Sequence, residues 1–208
     1  MGGDTQPMTA GRNSQKSLSK DWGTPAKYVD AVRHFFGGEI ALDPCSNEHS
    51  IVGARRSYSL PKHDGLTASW NFPTIYVNPP YGGSPERGST IRDWLRRCAD
   101  AHDEHDSEVL ALVPVAGNTK HWKMYVWGAA TAVCFLYDTR LRFLVGGLDV
   151  GKGAPMACAM VYWGSEYERF FECFIEYGAV VDLRPLAGQR IGKHHALEFA
   201  LSAPKLKR

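Results

Sequence analysis

The apolar run Thr74-Ile75-Tyr76-Val77 leads straight into Asn78-Pro79-Pro80-Tyr81. The run reads as a buried strand. Two prolines in succession must end it, because neither donates to a sheet ladder and each restricts the residue before it. Asn78 and its flanking carbonyls are therefore expected in a stiff bend at a strand's carboxyl end, where open α/β sheets bind ligands. An amide oxygen, a proline carbonyl and the flat face of Tyr81 together suit one task, the gripping of a planar group that carries an –NH2. The plain alternative is a Pro-Pro turn after a strand.

The rest of the chain supplies the sheet. Pro25 opens a helix that Thr24 is placed to cap, with Tyr28, Val29, Val32, Phe35 and Phe36 as its apolar stripe and Gly37-Gly38 as its stop. A strand over 39–42 ends at Asp43-Pro44. The near-continuous apolar run 109–113 is the pattern of a parallel strand covered on both faces. Helices are expected over 91–101 and 119–127, strands over 132–136, 157–163 and 179–183, and a Ser165/Glu168 capping box on a helix reaching 177. Alternating strands and helices predict a doubly wound, mostly parallel α/β sheet. Residues 1–20, polar and nearly free of large apolar side chains, read as a disordered arm. The domain is expected over 21–183, with a loose basic tail over 184–208.

Composition excludes more than it selects. A chain of 208 residues, 44% hydrophobic, fits one domain with a proper core. No apolar run is long enough to span a bilayer and no signal segment opens the chain, so a cytoplasmic protein with no membrane partner is expected. Five cysteines without a Cys-x-x-Cys pair favour reduced thiols over disulfides or zinc. A net charge of +2 permits a nucleic-acid partner without arguing for one. The arginines 92, 96 and 97, like the basic residues 205, 207 and 208, read singly as solvated charge.

Two further segments carry polar residues where such a sheet would hold a ligand. Asp43-Pro44-Cys45-Ser46-Asn47 offers a carboxylate and small residues that let backbone approach closely; alone it reads as a turn or cap. It lacks a Gly-x-Gly-x-x-Gly pattern, which argues against a dinucleotide site. His63-Asp64-Gly65-Leu66, followed by Trp70, offers Asp64 to an exocyclic amine, or simply forms an Asp-Gly turn. The His-rich stretch 102–106 reads as a solvated loop after a helix with no third metal ligand, and Trp122, Tyr125 and Trp127 as a helix face against the sheet.

The ordered set Thr24-Pro25, Leu42-Asp43-Pro44-Cys45, Asp64-Gly65-Leu66 with Trp70, and Asn78-Pro79-Pro80-Tyr81 resembles the phage-type DNA N-6-adenine methyltransferases. Val113-Pro114 with Thr119 and Trp122, and Arg140-Leu141-Arg142-Phe143, resemble later blocks of that family. The resemblance implies a Rossmann-like methyltransferase sheet with S-adenosyl-L-methionine (SAM) across the first strand ends. Thr24 and Pro25 would approach the cofactor's carboxylate, Asp43 its ammonium and Asp64, with Gly65 and Leu66, its adenine; Pro44 and Cys45 complete that side. The target adenine of double-stranded DNA would be flipped out and stacked on Tyr81, with Phe143 as a second wall. Arg92 and Arg140 are the candidate DNA contacts. An acidic residue for the cofactor ribose is expected between Asn47 and Asp64; Glu48 is the only one there, and it stands early in the span. A separate recognition domain does not fit, so DNA contacts must come from the loops 82–90 and 146–155, the termini, or a second subunit of a homodimer.

The chemistry follows from the amine. Its lone pair is conjugated with the ring and poorly nucleophilic; accepting both hydrogens, on the Asn78 oxygen and the Pro79 carbonyl, favours a pyramidal nitrogen. Transfer is then an in-line displacement needing no metal. The same residues also suit an RNA adenine or a protein glutamine amide as acceptor, and a non-catalytic nucleic-acid-binding module is the remaining alternative. A restriction partner is not legible.

Overall fold

The structure, a computed structural model, describes residues 22–81, 89–138, 140–151 and 153–189. The expected arm over 1–20, most of the glycine-rich loop after Tyr81 and the end of the basic tail lie outside the described residues.

The chain runs β1 (Trp22–Gly23), α1 (Ala26–Phe35), β2 (Leu42–Asp43), β3 (Arg56–Ser57), β4 (Thr74–Val77), α2 (Ile91–His105), β5 (Glu108–Pro114), α3 (Lys120–Tyr125), β6 (Ala132–Leu136), β7 (Leu144–Val145), β8 (Leu148–Asp149), β9 (Cys158–Trp163), α4 (Tyr167–Phe174) and β10 (Gly178–Asp182). Seven strands form one sheet in the order β10-β6-β9-β5-β4-β2-β3.

The alternation within β5 shows how that sheet is covered. Val109, Ala111 and Val113 pack with Trp70, Trp94, Trp122 and Trp163 on one face, beneath α2 and α3. Leu110 and Leu112 pack with Tyr28, Phe35, Phe170 and Phe174 on the other, beneath α1 and α4. Both faces are dry, and each large side chain so buried contributes about 1.5–3 kcal/mol. Trp122 is fully buried, as its helical spacing predicts.

The sheet is mixed but mostly parallel in strand direction: β3, β2, β4, β5 and β6 run one way, β9 and β10 the other. β3, β2, β4 and β5 pair in parallel, whereas β9 runs antiparallel to both β5 and β6, and β10 antiparallel to β6. Because β9 is reversed, Cys158 at its start lies opposite Pro114 at the end of β5. The segment between β6 and β9 therefore lies at the same edge of the sheet as Asn78. Within it β7 and β8 form a hairpin, closed by Gly146 and Gly147 at φ +58° and +79°, and β7 pairs with β1.

Several local expectations are corrected. Thr24 does not cap α1; the cap position is Pro25, and the Thr24 hydroxyl shares a buried 2.7 Å hydrogen bond with the Tyr76 hydroxyl. Ser165 and Glu168 form no capping box; the Ser165 N–H and hydroxyl both donate to Glu108 Oε1 at 3.1 Å, and α4 begins at Tyr167 and ends at Phe174. The capping box belongs to α2, where the Asp93 carboxylate accepts from the Thr90 N–H at 2.9 Å. That helix extends to His105, so His102 and His105 stand in its last turn, with His102 Nδ1 3.1 Å from the Ser107 carbonyl. Past Leu183 the chain docks by Gly188 N–H to the Gly128 carbonyl at 3.1 Å.

Candidate active site

The carboxyl ends of β2, β3 and β4 enclose a cleft of about 740 Å³, within the range of small-molecule sites. Its lining includes Pro44, Cys45, Ser46, Asn47, Asp64, Gly65 and Pro80, drawn from all three segments singled out in the sequence. Those segments are locked together. The Tyr58 N–H donates to the Asp43 carbonyl and the Ser46 N–H to the Tyr58 carbonyl, each at 2.9 Å, which holds the first loop against the end of β3. A Cβ on Gly65 would overlap the Pro44 carbonyl, so only glycine permits this approach of the two loops. Trp70 seals the contact from behind, its Nε1 donating to the Gly65 carbonyl at 2.7 Å.

Asp43 stands behind the cleft rather than in its lining. Its carboxylate accepts from the Cys45 N–H at 3.1 Å and the Ser50 hydroxyl at 3.4 Å. Burial pushes it up to about 6, against the pull of those donors. Asp64 lines the cleft and also makes an Asx turn, Oδ1 accepting from the Leu66 N–H at 3.0 Å. Thr24 is buried on Tyr76, Pro25 opens α1, and Leu66 packs on the core, so these three do not line the cleft. Glu48 lines it with an exposed side chain, and Ser57 and Ser59 bring hydroxyls that no sequence signal had marked.

Beside the cleft, sharing Cys45, Asn47 and Pro80 with it, is a cavity of about 20 Å³ walled by Trp22, Asn78, Pro79 and Tyr81. Here the Asn78 Nδ2 donates to the Trp22 carbonyl at 2.9 Å. With the NH2 committed, Oδ1 is the group left to accept from a ligand. The Cys45 thiol is pushed up by burial, opposed by the Asn78 main-chain N–H, which ties the first loop to the Asn-Pro-Pro-Tyr bend.

The aromatic arrangement differs from expectation. Phe143 is buried and stacks on Trp22, with centroids 5.0 Å apart and planes 8° apart. Tyr81 stands edge-on to both rings, and its hydroxyl donates to the Leu112 carbonyl at 3.1 Å. Trp22 is therefore a central residue of the site. A single tryptophan at the end of a polar arm carries no periodicity, and no sequence signal had marked it.

Arg92 and Arg140 are exposed and line neither cavity, but both follow strands that end at this edge. Arg92 lies close enough to α3 to help burial hold His121 below its ordinary value. Among the described residues no cluster of three metal-ligating side chains occurs, and no helix is long and apolar enough to cross a membrane.

Helices on both faces of a mixed sheet, with a ligand-sized cleft and an oriented amide at the strand ends, define an α/β protein with its candidate site at the carboxyl ends of its parallel strands. Comparison with known proteins narrows this to a family. The DNA N-6-adenine-methyltransferase (Dam) family matches residues 11–186, and the chain belongs to it. The DNA N-6-adenine-methyltransferase of Haemophilus phage HP1 (strain HP1c1) is 27% identical over 137 residues, covering 66% of this chain and 73% of that protein. No solved structure matches the chain significantly.

Proposed function

We propose that this protein transfers the methyl group of SAM to the exocyclic amine of an adenine flipped out of duplex DNA, acting in the cytoplasm of a phage-infected bacterial cell. The observation that carries the reading is the Asn78 amide held by the Trp22 carbonyl, with its oxygen left to accept, where the large cleft meets the small cavity. Family membership supplies the substrate class, and the strand order β2-β4-β5 with a reversed β9 supports a Rossmann-like methyltransferase sheet.

The cleft suits the cofactor on its own chemistry. It has the volume, a close backbone crossing at Gly65 and Pro44, and a lining of Ser46, Asn47, Glu48, Ser57, Ser59 and Asp64 for the polar ends of a nucleoside and an amino acid. Bound there, SAM supplies an electrophilic methyl group. Asn78 Oδ1 and the Pro79 carbonyl accept the two hydrogens of the target amine and localise its lone pair. These acceptors are neutral, which suits positive charge developing on nitrogen, and they need no reorganisation because Trp22 already fixes the amide. Asp43 acts through the loop, holding the Cys45 N–H in place for the cleft wall.

A cavity of about 20 Å³ holds roughly one water. An adenine is far larger, so Tyr81 must part from Trp22 as the base enters.

Labelled methyl transfer from SAM to unmethylated duplex DNA tests the reading, with RNA and mixed protein as parallel acceptors and Asn78→Ala as control. Label on DNA adenine, absent in the variant, is the expected result. Label on RNA or protein alone would move the chemistry to another acceptor, and label nowhere would leave only a binding module.

A further inference from the structure

Leu148 is 71% exposed, the highest value among the large apolar residues described. It opens β8, directly after the glycine turn, and Val150 two residues on is 48% exposed. Leu148 lies opposite Val145 in the ladder, and Val145 in turn lies opposite Trp22. The hairpin is thus braced at both ends against the site. At its base Phe143 stacks on Trp22, whose carbonyl holds Asn78; at its turn Gly147 faces His49, in the loop that also lines the cleft. Such bracing gives an exposed leucine a fixed direction.

Its charge surroundings select the partner. Arg140 and Arg142 precede the hairpin and are both exposed; Arg142 pairs with Asp149 across it at 3.4 Å, whereas Arg140 has no acidic partner among the described residues. An exposed apolar side chain on a hairpin that two exposed arginines lead into, at the edge where the target base must be received, fits a duplex whose stack has to be opened. A second copy of the chain would bring arginine against arginine.

We propose that Leu148 is a wedge that enters the DNA stack where the target adenine leaves it, with Arg140 and Arg142 on the flanking phosphates. The inference rests on the methyltransferase reading above. The wedge compensates for lost stacking on extrusion, so its value depends on how firmly the target is paired and stacked.

That dependence gives the test. Once wild-type protein has been used to map the methylated adenine, kcat/KM is measured for wild type and Leu148→Ala on two duplexes, one fully paired and one with the target adenine opposite an abasic position. The expected result is a loss of about tenfold or more on the paired duplex that shrinks to within about twofold on the abasic one, with SAM affinity unchanged. Equal losses on both duplexes, or none on the paired one, would overturn the wedge while leaving DNA methylation standing. Wild-type protein that labels no DNA would overturn the reading beneath it. A concentration-dependent dimer in sedimentation that Leu148→Ala dissolves would assign the leucine to self-association instead.

Discussion

The side-chain amide of Asn78 donates to the main-chain carbonyl of Trp22 across 56 positions of sequence at 2.9 Å. The bond orients the amide oxygen that the proposed chemistry uses. Asn78→Ala removes that acceptor, and transfer is expected to fall about 100-fold or more, the range seen when one preorganised polar group at a reacting centre is lost. One half-buried hydrogen bond disappears, so thermal unfolding should shift by no more than about 1 kcal/mol. Calorimetry beside the transfer assay separates this from collapse of the bend.

Removing the partner rather than the amide should mimic this in part. A chain beginning at Thr24 keeps Asn78 but has neither the Trp22 carbonyl nor its ring. The turnover rate is expected to drop about tenfold while cofactor affinity changes little, because Trp22 lines only the small cavity. Unchanged turnover would mean the amide is oriented by other means.

Gly65→Ala drives a methyl group into the Pro44 carbonyl. Backbone cannot give way as a side-chain tip does, so the two loops must part. A stability loss of about 1–3 kcal/mol is expected, together with SAM binding weakened about tenfold or more in titration calorimetry. Wild-type affinity in this variant would show that the loop crossing does not shape the cleft.

Tyr81→Phe tests the ring against the hydroxyl. Among the described residues the hydroxyl bonds framework, the Leu112 carbonyl and the Cys158 thiol, so the variant should lose about 1 kcal/mol of stability and retain transfer within a few-fold. A much larger loss of transfer would give the hydroxyl a part in substrate binding.

Asp43 sets a pH dependence. Its carboxyl rises from an ordinary 3.8 to about 6 because it is buried. Between those values the folded protein holds more protons than the unfolded chain, so this group's contribution falls as pH rises from about 4 to about 6, by roughly 3 kcal/mol at most. Asp43→Asn should flatten that decline relative to wild type in urea unfolding from pH 4 to 8. Parallel curves would mean that the carboxylate is better solvated by its donors than its burial suggests.

The strands at 74–77, 109–113 and 132–136 were legible because each is a short, dense apolar run between turn residues. The ends of the first loops were legible because polar residues directly after such runs have few other uses. Strand direction was not: β9 is as apolar as β5, and nothing in a hydrophobic run says which way it points. Neither were the hydroxyl partners of Thr24 and Ser165. Each looks like a cap locally and is claimed by a residue far along the chain, Tyr76 and Glu108. The two-residue strands of the small sheet are too short to show any period, which is why Trp22 and the hairpin emerged only in three dimensions.

The reversal of β9 has a consequence for how such a chain can diversify. Since β6 ends and β9 begins at the same edge, the intervening segment leaves and re-enters the sheet without crossing it. Its length is therefore not fixed by the width of the fold, and doubling a loop adds only about 0.6 kcal/mol of closure entropy. Sequence can be exchanged, lengthened or trimmed there while the strands that carry Asn78 keep their register. The strand order thus lets this stretch of chain vary in length while the strands leading to Asn78 keep their pairing.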